Sequence, residues 1–344
     1  MFFAGIIIPI MHQNCRELSC KNKALSLCDY CWEHIGHKEA YIDLLQAHSK
    51  AGKSMENFYL KGLNAPSVNF LHANLKGAIL SSTNLKGASL LDANLSEADL
   101  IGANLSGCDF IGSDCINARF MMADLSSSRF WHADMTGADF SEASLQNADL
   151  LNAVLYKSNF YHTNLKDARF LTKENFKGEG GRETVDEKGP KTARESYANL
   201  KQYFLVNARY NDVSWASFNE NRMELRRLLR EKKVGFFPFL VMGFLCGWGE
   251  RPLRATVSAL SIIMIYAVIF FMLKSIEATV GGNAQPSFLD HIYYSIITFT
   301  TVGYGDFLPK ANAFYRLLAG SEAFVGIFMM GLFVFSLGRR YSTR

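Results

Sequence analysis

The chain is short of cysteine and of net charge, and each shortage excludes a class of protein. Only 7 of its 344 residues are cysteine, and four of these lie between positions 15 and 31. This number and placement exclude a secreted disulfide scaffold. The formal net charge is +4, which is small for this length, so no nucleic-acid partner is expected.

The first ten residues, MFFAGIIIPI, are apolar but lack the marks of a secretory signal. No basic residue precedes the apolar run, and no A-x-A-like cleavage site follows it. We interpret the segment as a strand or an anchor of the mature protein, with a cleaved signal peptide as the alternative.

The centre of the chain repeats every five residues, a spacing that fits neither a helix nor an alternating strand. From Phe70 to Phe170 every fifth position is apolar, and the position two residues earlier is usually small. Such a period requires a corner in every unit, so that the large and the small residue both point inward. Repeats of this kind predict a solenoid in which neighbouring units bury each other.

The repeated A-(D/N)-L-x-x pattern resembles the pentapeptide-repeat family. The resemblance implies a right-handed, four-sided β-helix over residues 58–171, with four units per coil. Some members of the family mimic DNA with an acidic surface. Here Asp99 and Asp109 are interspersed with Lys86 and Arg119, which favours a scaffold or assembly role.

The composition changes where the repeat ends. Residues 172–195 are charged and rich in glycine, which predicts a flexible loop. Helical spacing on both sides of a turn at 209–212 then predicts an αα-hairpin that caps the solenoid. The hairpin and an interfacial linker together occupy residues 196–254, and a third membrane span in the linker is the alternative.

Residues 1–50 contain a cysteine cluster whose spacing suits a metal. Two close thiolate pairs that converge on one point favour tetrahedral zinc. The predicted ligands are Cys15, Cys20, Cys28 and Cys31, with His34 and His37 as alternates for one of them. Such a site is filled by protein ligands and would be structural or sensory; reduced buried thiols and a redox C-x-x-C are the alternatives.

Two apolar runs near the end of the sequence predict membrane spans. Residues 255–273 contain no charge and no proline, and the run 317–338 contains one charge, Glu322. At ~1.5 Å per residue either helix can cross the hydrocarbon layer. Basic residues precede the first span and follow the second. Since positive residues concentrate on the cytosolic side of a membrane, we expect both termini and the repeat domain to lie in the cytosol of a multi-pass cell-membrane protein.

The loop between the spans is too apolar for a solvent-exposed connector. Ser287 and Asp290 predict the N-cap of a helix at 288–299, which is too short to cross the bilayer. A half-spanning re-entrant helix remains, and the non-helical backbone after it is tolerated only if it lines a wet cavity.

The stretch YYSIITFTTVGYGD that begins at Tyr293 resembles the pore region of potassium channels. The resemblance covers residues 255–344 and implies an outer helix (255–273), a pore helix (288–299), a filter (300–306) and an inner helix (314–338). It further implies a K⁺-selective channel, not an enzyme, that conducts K⁺ through a homotetramer in the lipid bilayer. A non-conducting membrane-anchored scaffold and a nonselective cation channel are the alternatives.

The resemblance assigns ion binding to the filter. Its residues are Thr300, Thr301, Val302, Gly303, Tyr304, Gly305 and Asp306. The two glycines permit φ values that L-residues avoid, so successive carbonyls can face one axis and replace the water around the ion. The carbonyls of residues 301–304 and the Thr301 hydroxyl would supply the oxygens.

Residues outside the filter are predicted to support or gate it. The Tyr304 ring is expected to pack against Tyr293 or Tyr294. Glu322 is costly in a membrane unless it is paired or protonated, so we expect it to bond to the back of the pore helix, with a neutral buried acid as the alternative. The candidate gating hinges are Gly326 and then Gly331.

Two features of channels are missing from this chain. Many family members carry an acid four residues before the inner filter threonine, where this chain has Ile297, so filter behaviour that depends on that acid is not expected. No helix carries repeated arginines, which argues against strong voltage gating. Gating or assembly through the cytosolic repeat domain is the remaining hypothesis.

Overall fold

The computed structural model describes residues 14–17, 20–178, 184–185, 189–233, 235–279 and 285–342, the side chains of 339–342 excepted. The predicted apolar segment 1–10 lies outside the described residues. The chain divides into two compact units, Met1–Glu224 and Leu225–Arg344.

The first unit is built around a four-sided β-helix. Parallel bridges join Tyr59 to Ile79, Asn64 to Asn84 and so on up to Asp149 and Arg169, always twenty residues apart. This spacing confirms four five-residue units per coil. The corners contain residues with positive φ, which let the chain turn sharply between sides.

The interior of the β-helix is a continuous stack of the large residues of each unit. Leu80, Leu100 and Phe120 are fully buried, as are their equivalents in neighbouring coils. Phenylalanines from successive coils stack on one another, with ring centroids 4.8 Å apart for Phe110 and Phe130. Since each coil covers the next, burial of apolar surface stabilises the whole solenoid.

The N-terminal end of the solenoid is closed by α1 (Lys38–Lys50) and the cysteine-containing turns before it. Tyr41 and Leu45 of α1 are buried in the solenoid core. The Tyr41 hydroxyl donates to the carbonyl of Ser26 (2.7 Å), and the Ser26 amide donates to the carbonyl of Tyr59 (3.0 Å). These bonds attach the cysteine segment to the first coil.

The C-terminal end is closed by segments that differ from the flexible loop predicted at 172–195. A 3-10 turn, Lys173–Phe176, follows the last coil, and both Phe176 and Val185 are fully buried. The Asn175 side chain donates to the carbonyls of Leu150 (3.2 Å) and Ala153 (2.8 Å). The prediction missed these ordered residues because Phe176 and Val185 are isolated apolar positions in a charged segment and carry no periodic signal.

Helices α2 (Pro190–Val206) and α3 (Tyr210–Arg230) form the predicted hairpin. Pro190 occupies the first position of α2, so the helix begins six residues before the predicted start. Asn199 donates to the carbonyls of Phe160 and Thr163, which caps the last coil as expected. An ion pair between Lys201 and Glu220 (2.6 Å) joins the two helices.

The second unit is helical apart from one small sheet. Its elements are α4 (Phe236–Cys246), α5 (Pro252–Leu273), β1 (Ile276–Ala278), α6 (Phe288–Phe299), β2 (Phe307–Pro309) and α7 (Ala313–Ser342). Strands β1 and β2 pair antiparallel, with Ile276 opposite Pro309. Helix α6 packs against both α5 and α7.

Helices α5 and α7 are long and apolar enough to cross a membrane. Their most apolar windows have mean hydropathies of 2.4 and 1.9, yet only 17% and 22% of these windows are buried inside the single chain. Apolar side chains such as Leu253, Leu317 and Phe324 are about three-quarters exposed. Such surfaces need lipid or further copies of the chain to cover them.

Candidate functional site

Helix α6 begins and ends as the sequence predicts. The Ser287 hydroxyl accepts a hydrogen bond from the Asp290 amide (3.3 Å), and the Asp290 carboxylate accepts one from the Ser287 amide (2.7 Å). This reciprocal cap fixes the first turn. The helix ends at Phe299, directly before TTVGYGD.

The backbone of the predicted filter alternates in conformation. The φ angles of Thr301, Gly303 and Gly305 are positive, at 57°, 51° and 79°. The expectation for the two glycines is confirmed, whereas the positive φ of Thr301 was not foreseen, since a β-branched residue seldom adopts it. This alternation reorients successive peptide groups along the segment.

Four consecutive carbonyls of the filter, at residues 301–304, accept no hydrogen bond within the described residues. The amides of Val302 (2.9 Å) and Gly303 (3.3 Å) both donate to the carbonyl of Ile297. By contrast, within the described chain no donor reaches the carbonyl oxygens of residues 301–304. Buried backbone carbonyls need partners, so four such oxygens in a row can coordinate a cation or accept hydrogen bonds from water.

The outer end of the filter is held by a residue that sequence reasoning missed. The Thr279 hydroxyl lies 2.8 Å from the carbonyl of Gly305 and 2.9 Å from that of Asp306, and the Thr279 amide also donates to Asp306 (2.9 Å). Thr279 directly follows β1, which pairs with β2 beyond the filter. Thr279 is 26 residues from Gly305 and 27 residues from Asp306 in the sequence, and the pairing of β1 with β2 brings them together. No local sequence signal could therefore have revealed the contact.

The predicted aromatic support is only partly formed within one chain. The Tyr294 ring packs on Phe270 (centroids 5.2 Å apart), and the Tyr293 ring packs on Phe307 (6.1 Å). The Tyr304 ring pairs with neither tyrosine in the described chain, and Tyr304 is 73% exposed. The packing predicted for the Tyr304 ring is therefore absent among the described residues.

Helix α7 contacts α6 at two points one turn apart. Glu322 is fully buried, and its Oε1 lies within hydrogen-bond distance of the Ser295 hydroxyl, so the predicted contact with the pore helix is present. Four residues further along both helices, Gly326 faces the carbonyl of Phe299 so closely that a Cβ would overlap it. This gives Gly326 a packing role, whereas Gly331 has open space around it.

A concavity of about 420 Å³ lies below the filter. Its lining combines Phe299, Thr300 and Thr301 with Gly326, Ile327, Met330, Gly331 and Val334 of α7. The end of α6 opens into this space, where the negative end of its helix dipole favours a cation.

The cysteine segment brings four of the predicted metal ligands together. Ligand atoms of Cys15, Cys20, Cys31 and His34 all lie within 4.8 Å of one another. The His34 Nδ1 is 3.2 Å from the Cys31 sulfur and 3.6 Å from the Cys15 sulfur. His34 thus occupies the place predicted first for Cys28, which packs against the solenoid core, while His37 precedes α1.

Two thiols of this cluster, the buried Cys15 and the half-buried Cys20, differ electrostatically. Desolvation raises the pKa of Cys15, but hydrogen bonds from the backbone of Cys31 and Glu17 outweigh it and lower the pKa to about 7. At Cys20 a hydrogen bond from the Asn22 backbone lowers the pKa. Desolvation and the neighbouring Cys31 and Cys15 thiols raise the pKa by more, so its net shift is upward. Three sulfurs and one imidazole nitrogen form a donor set that fits tetrahedral zinc.

Known protein families match both units. Residues 258–343 match the ion-channel family, and residues 59–90, 88–126 and 133–170 match pentapeptide repeats, in eight copies. The chain is therefore a membrane protein that carries an ion-channel segment. In particular, it combines that segment with a pentapeptide-repeat β-helix.

Curated relatives of the channel segment are plant proteins. Two-pore potassium channel 1 of Arabidopsis thaliana is 33% identical over 79 residues, which is 23% of this chain and 21% of the relative. Two pore potassium channel b of Oryza sativa subsp. japonica is 31% identical over 88 residues, which is 25% of this chain and 24% of the relative. The chain thus spans less than a quarter of the length of either protein.

Solved structures match the repeat region. A pentapeptide-repeat protein from the cyanobacterium Cyanothece is 28% identical, covering 32% of this chain and 82% of that one, with a TM-score of 0.15. HetL, a pentapeptide-repeat protein from Nostoc, is 27% identical, covering 34% of this chain and 61% of that one, with a TM-score of 0.14.

Proposed function

We propose that the protein is a potassium-selective channel that conducts K⁺ passively through a homotetrameric pore. The observation that supports this most is the row of four free carbonyls at residues 301–304, made possible by positive φ at alternate positions. A dehydrated K⁺ ion needs rings of such oxygens. The names of the plant relatives agree with this ion.

One chain supplies a single row of oxygens, so a closed ring requires further copies around a symmetry axis. Side chains of the filter that further copies would cover are exposed in the single chain. Val302 is 51% and Tyr304 73% exposed, and the concavity below the filter is open on one side. In an assembly of four copies, the carbonyl oxygens of each chain would point toward the central axis. Each Tyr304 ring would be buried against a neighbouring subunit.

Ion flux from lipid vesicles tests the proposal. Vesicles that contain the purified full-length protein should release K⁺ much faster than Na⁺. Gly303→Ala should abolish the difference, because its φ of 51° strains any L-residue while no atom blocks the new Cβ. Gly320→Ala, at a helical glycine that also has open space, is the matched control and should conduct like the wild type.

The two alternatives give different outcomes in the same experiment. Equal release of K⁺ and Na⁺ would indicate a nonselective channel, which the intact filter glycines disfavour. Absence of release from a correctly assembled protein would favour a membrane-anchored scaffold. No enzymatic activity and no nucleic-acid partner are proposed.

We also propose that Cys15, Cys20, Cys31 and His34 hold one structural zinc ion. When bound, zinc would cross-link the turns that carry these four residues. All four ligands come from the protein, which leaves no open position for catalysis. Zinc measured per purified chain by elemental analysis tests this, with one ion per chain expected and none contradicting it.

We further propose that the protein lies in the cell membrane, with the repeat domain and both termini in the cytosol. The basic residues flanking the two spans support this orientation. The β-helix would then gate or assemble the pore from the cytosolic side. Protease protection in sealed inside-out and right-side-out vesicles tests it: the repeat domain should be cleaved only in inside-out vesicles.

A further inference from the structure

Ser295 lies where three helices of the channel segment meet. The residue is in α6 and is fully buried. Its hydroxyl oxygen is 2.8 Å from the carbonyl oxygen of Ile263 in α5 and within hydrogen-bond distance of Glu322 Oε1 in α7. One hydroxyl therefore joins α6 to both neighbours.

The number of hydrogens limits how these contacts can form. A serine hydroxyl has one hydrogen and can donate it to only one of the two oxygens. The Ile263 carbonyl can only accept, whereas a carboxyl group can donate if it is protonated. Both contacts are hydrogen bonds only if Glu322 donates to Ser295 and Ser295 donates to Ile263. If Glu322 were ionised, one contact would place two acceptors together without a hydrogen between them.

The surroundings of Glu322 also disfavour a charge. Glu322 is 0% exposed, and its Oε2 has no hydrogen-bond partner among the described residues. The titratable side chains within four residues of Ile263 in α5 and of Ser295 in α6 are Tyr266, His291, Tyr293 and Tyr294, and none is a permanent cation. A buried carboxylate without a cationic partner is costly, especially at membrane depth. Because Glu322 is already covered within one chain, a neighbouring subunit cannot reach it.

We propose that Glu322 is protonated in the folded protein and donates to Ser295, which donates to Ile263, so that one hydrogen-bond relay holds α6 between α5 and α7. Ser295 is thereby a positioning residue for the helix that leads into the filter. The close contact of Gly326 with Phe299 lies one turn further along. Together the two contacts set the register between α6 and α7.

Infrared spectroscopy of the full-length protein in lipid tests the protonation directly. The difference between wild type and Glu322→Gln at neutral pH should show the carbonyl stretch of a protonated carboxyl group. The glutamine amide can still donate to Ser295, so this variant keeps the relay and the fold. Ser295→Ala should shift the same band to higher frequency, because the carboxyl loses its acceptor. A difference spectrum with only carboxylate bands, or with none, would overturn the proposal.

The positioning role rests on the proposed potassium conduction and is tested by flux. Ser295→Ala should lower K⁺ release by about fivefold, the effect of losing a typical buried hydrogen bond. Glu322→Gln should conduct like the wild type. Ser261→Ala is the control, since the Ser261 hydroxyl donates only within its own helix, to Val257 (2.8 Å). Equal flux from Ser295→Ala and Ser261→Ala would overturn the positioning role. A wild type that does not conduct would instead refute the proposed function and leave the infrared result standing.

Discussion

The β-helix and the channel segment satisfy their backbone and apolar groups in opposite ways. In the β-helix each side bonds to the next coil, the large apolar residues are buried and both ends are capped. In the channel segment the carbonyls of residues 301–304 accept no hydrogen bond within the described chain, and most of α5 and α7 is exposed. The first unit satisfies its backbone and apolar groups within one chain, whereas the second leaves carbonyl oxygens and apolar surface uncovered within the described residues.

The largest expected effect concerns the metal cluster that adjoins the closed end of the β-helix. Cys31→Ser should abolish zinc binding and destabilise the cysteine segment, because zinc contributes about 10–16 kcal/mol in small structural sites. Zinc content and limited proteolysis of residues 14–37 measure this. Cys28→Ser is the matched control and should keep its zinc, because Cys28 lies outside the cluster. Loss of zinc in both variants would contradict the assignment of His34 as a ligand.

The next prediction tests whether the β-helix is stabilised by its own core. Phe130 is fully buried and stacks on Phe110, so Phe130→Ala should lower the free energy of unfolding by about 3–5 kcal/mol. Thermal unfolding followed by circular dichroism measures the change. Trp131→Ala, at an adjacent side chain that is 36% exposed, should have a much smaller effect. Comparable losses would mean that the stack is not the main source of stability.

A smaller effect is expected where α7 packs on the pore helix. Gly326→Ala places a methyl group against the Phe299 carbonyl and should cost about 1–3 kcal/mol through overpacking. The yield of tetramer in size-exclusion chromatography and its melting temperature report this. The same change at Gly331, which has open space, should be tolerated. If both variants assemble normally, Gly326 acts as a hinge or not at all, and the packing role is wrong.

The smallest effect is expected at the outer end of the filter. Thr279→Val removes the hydroxyl that reaches the Gly305 and Asp306 carbonyls but keeps the backbone bond, so about 0.5–1 kcal/mol should be lost. K⁺ currents should then decay up to about fivefold faster. Thr256→Val, which removes a hydroxyl that bonds within α5, is the control. Unchanged decay in Thr279→Val would show that the Thr279 backbone bond and β1 hold the filter without the hydroxyl.

Sequence reasoning succeeded where a local pattern determines the structure. The five-residue period predicted the coils, the Ser287 cap predicted the start of α6, and the filter glycines predicted positive φ at positions 303 and 305. It failed where distant segments meet, as at Thr279 with Gly305 and Ser295 with Ile263. The choice of His34 over Cys28 likewise depends on how the turns fold, because both positions satisfy the same spacing rule.

The reversal potential of the wild-type protein in a planar bilayer, with K⁺ on one side and Na⁺ on the other, tests the central claim most directly. If carbonyls of residues 301–304 from four subunits replace the water around K⁺, the current should reverse far from zero, in the direction set by K⁺ permeability. A reversal potential near zero in an assembled, conducting protein would contradict the account.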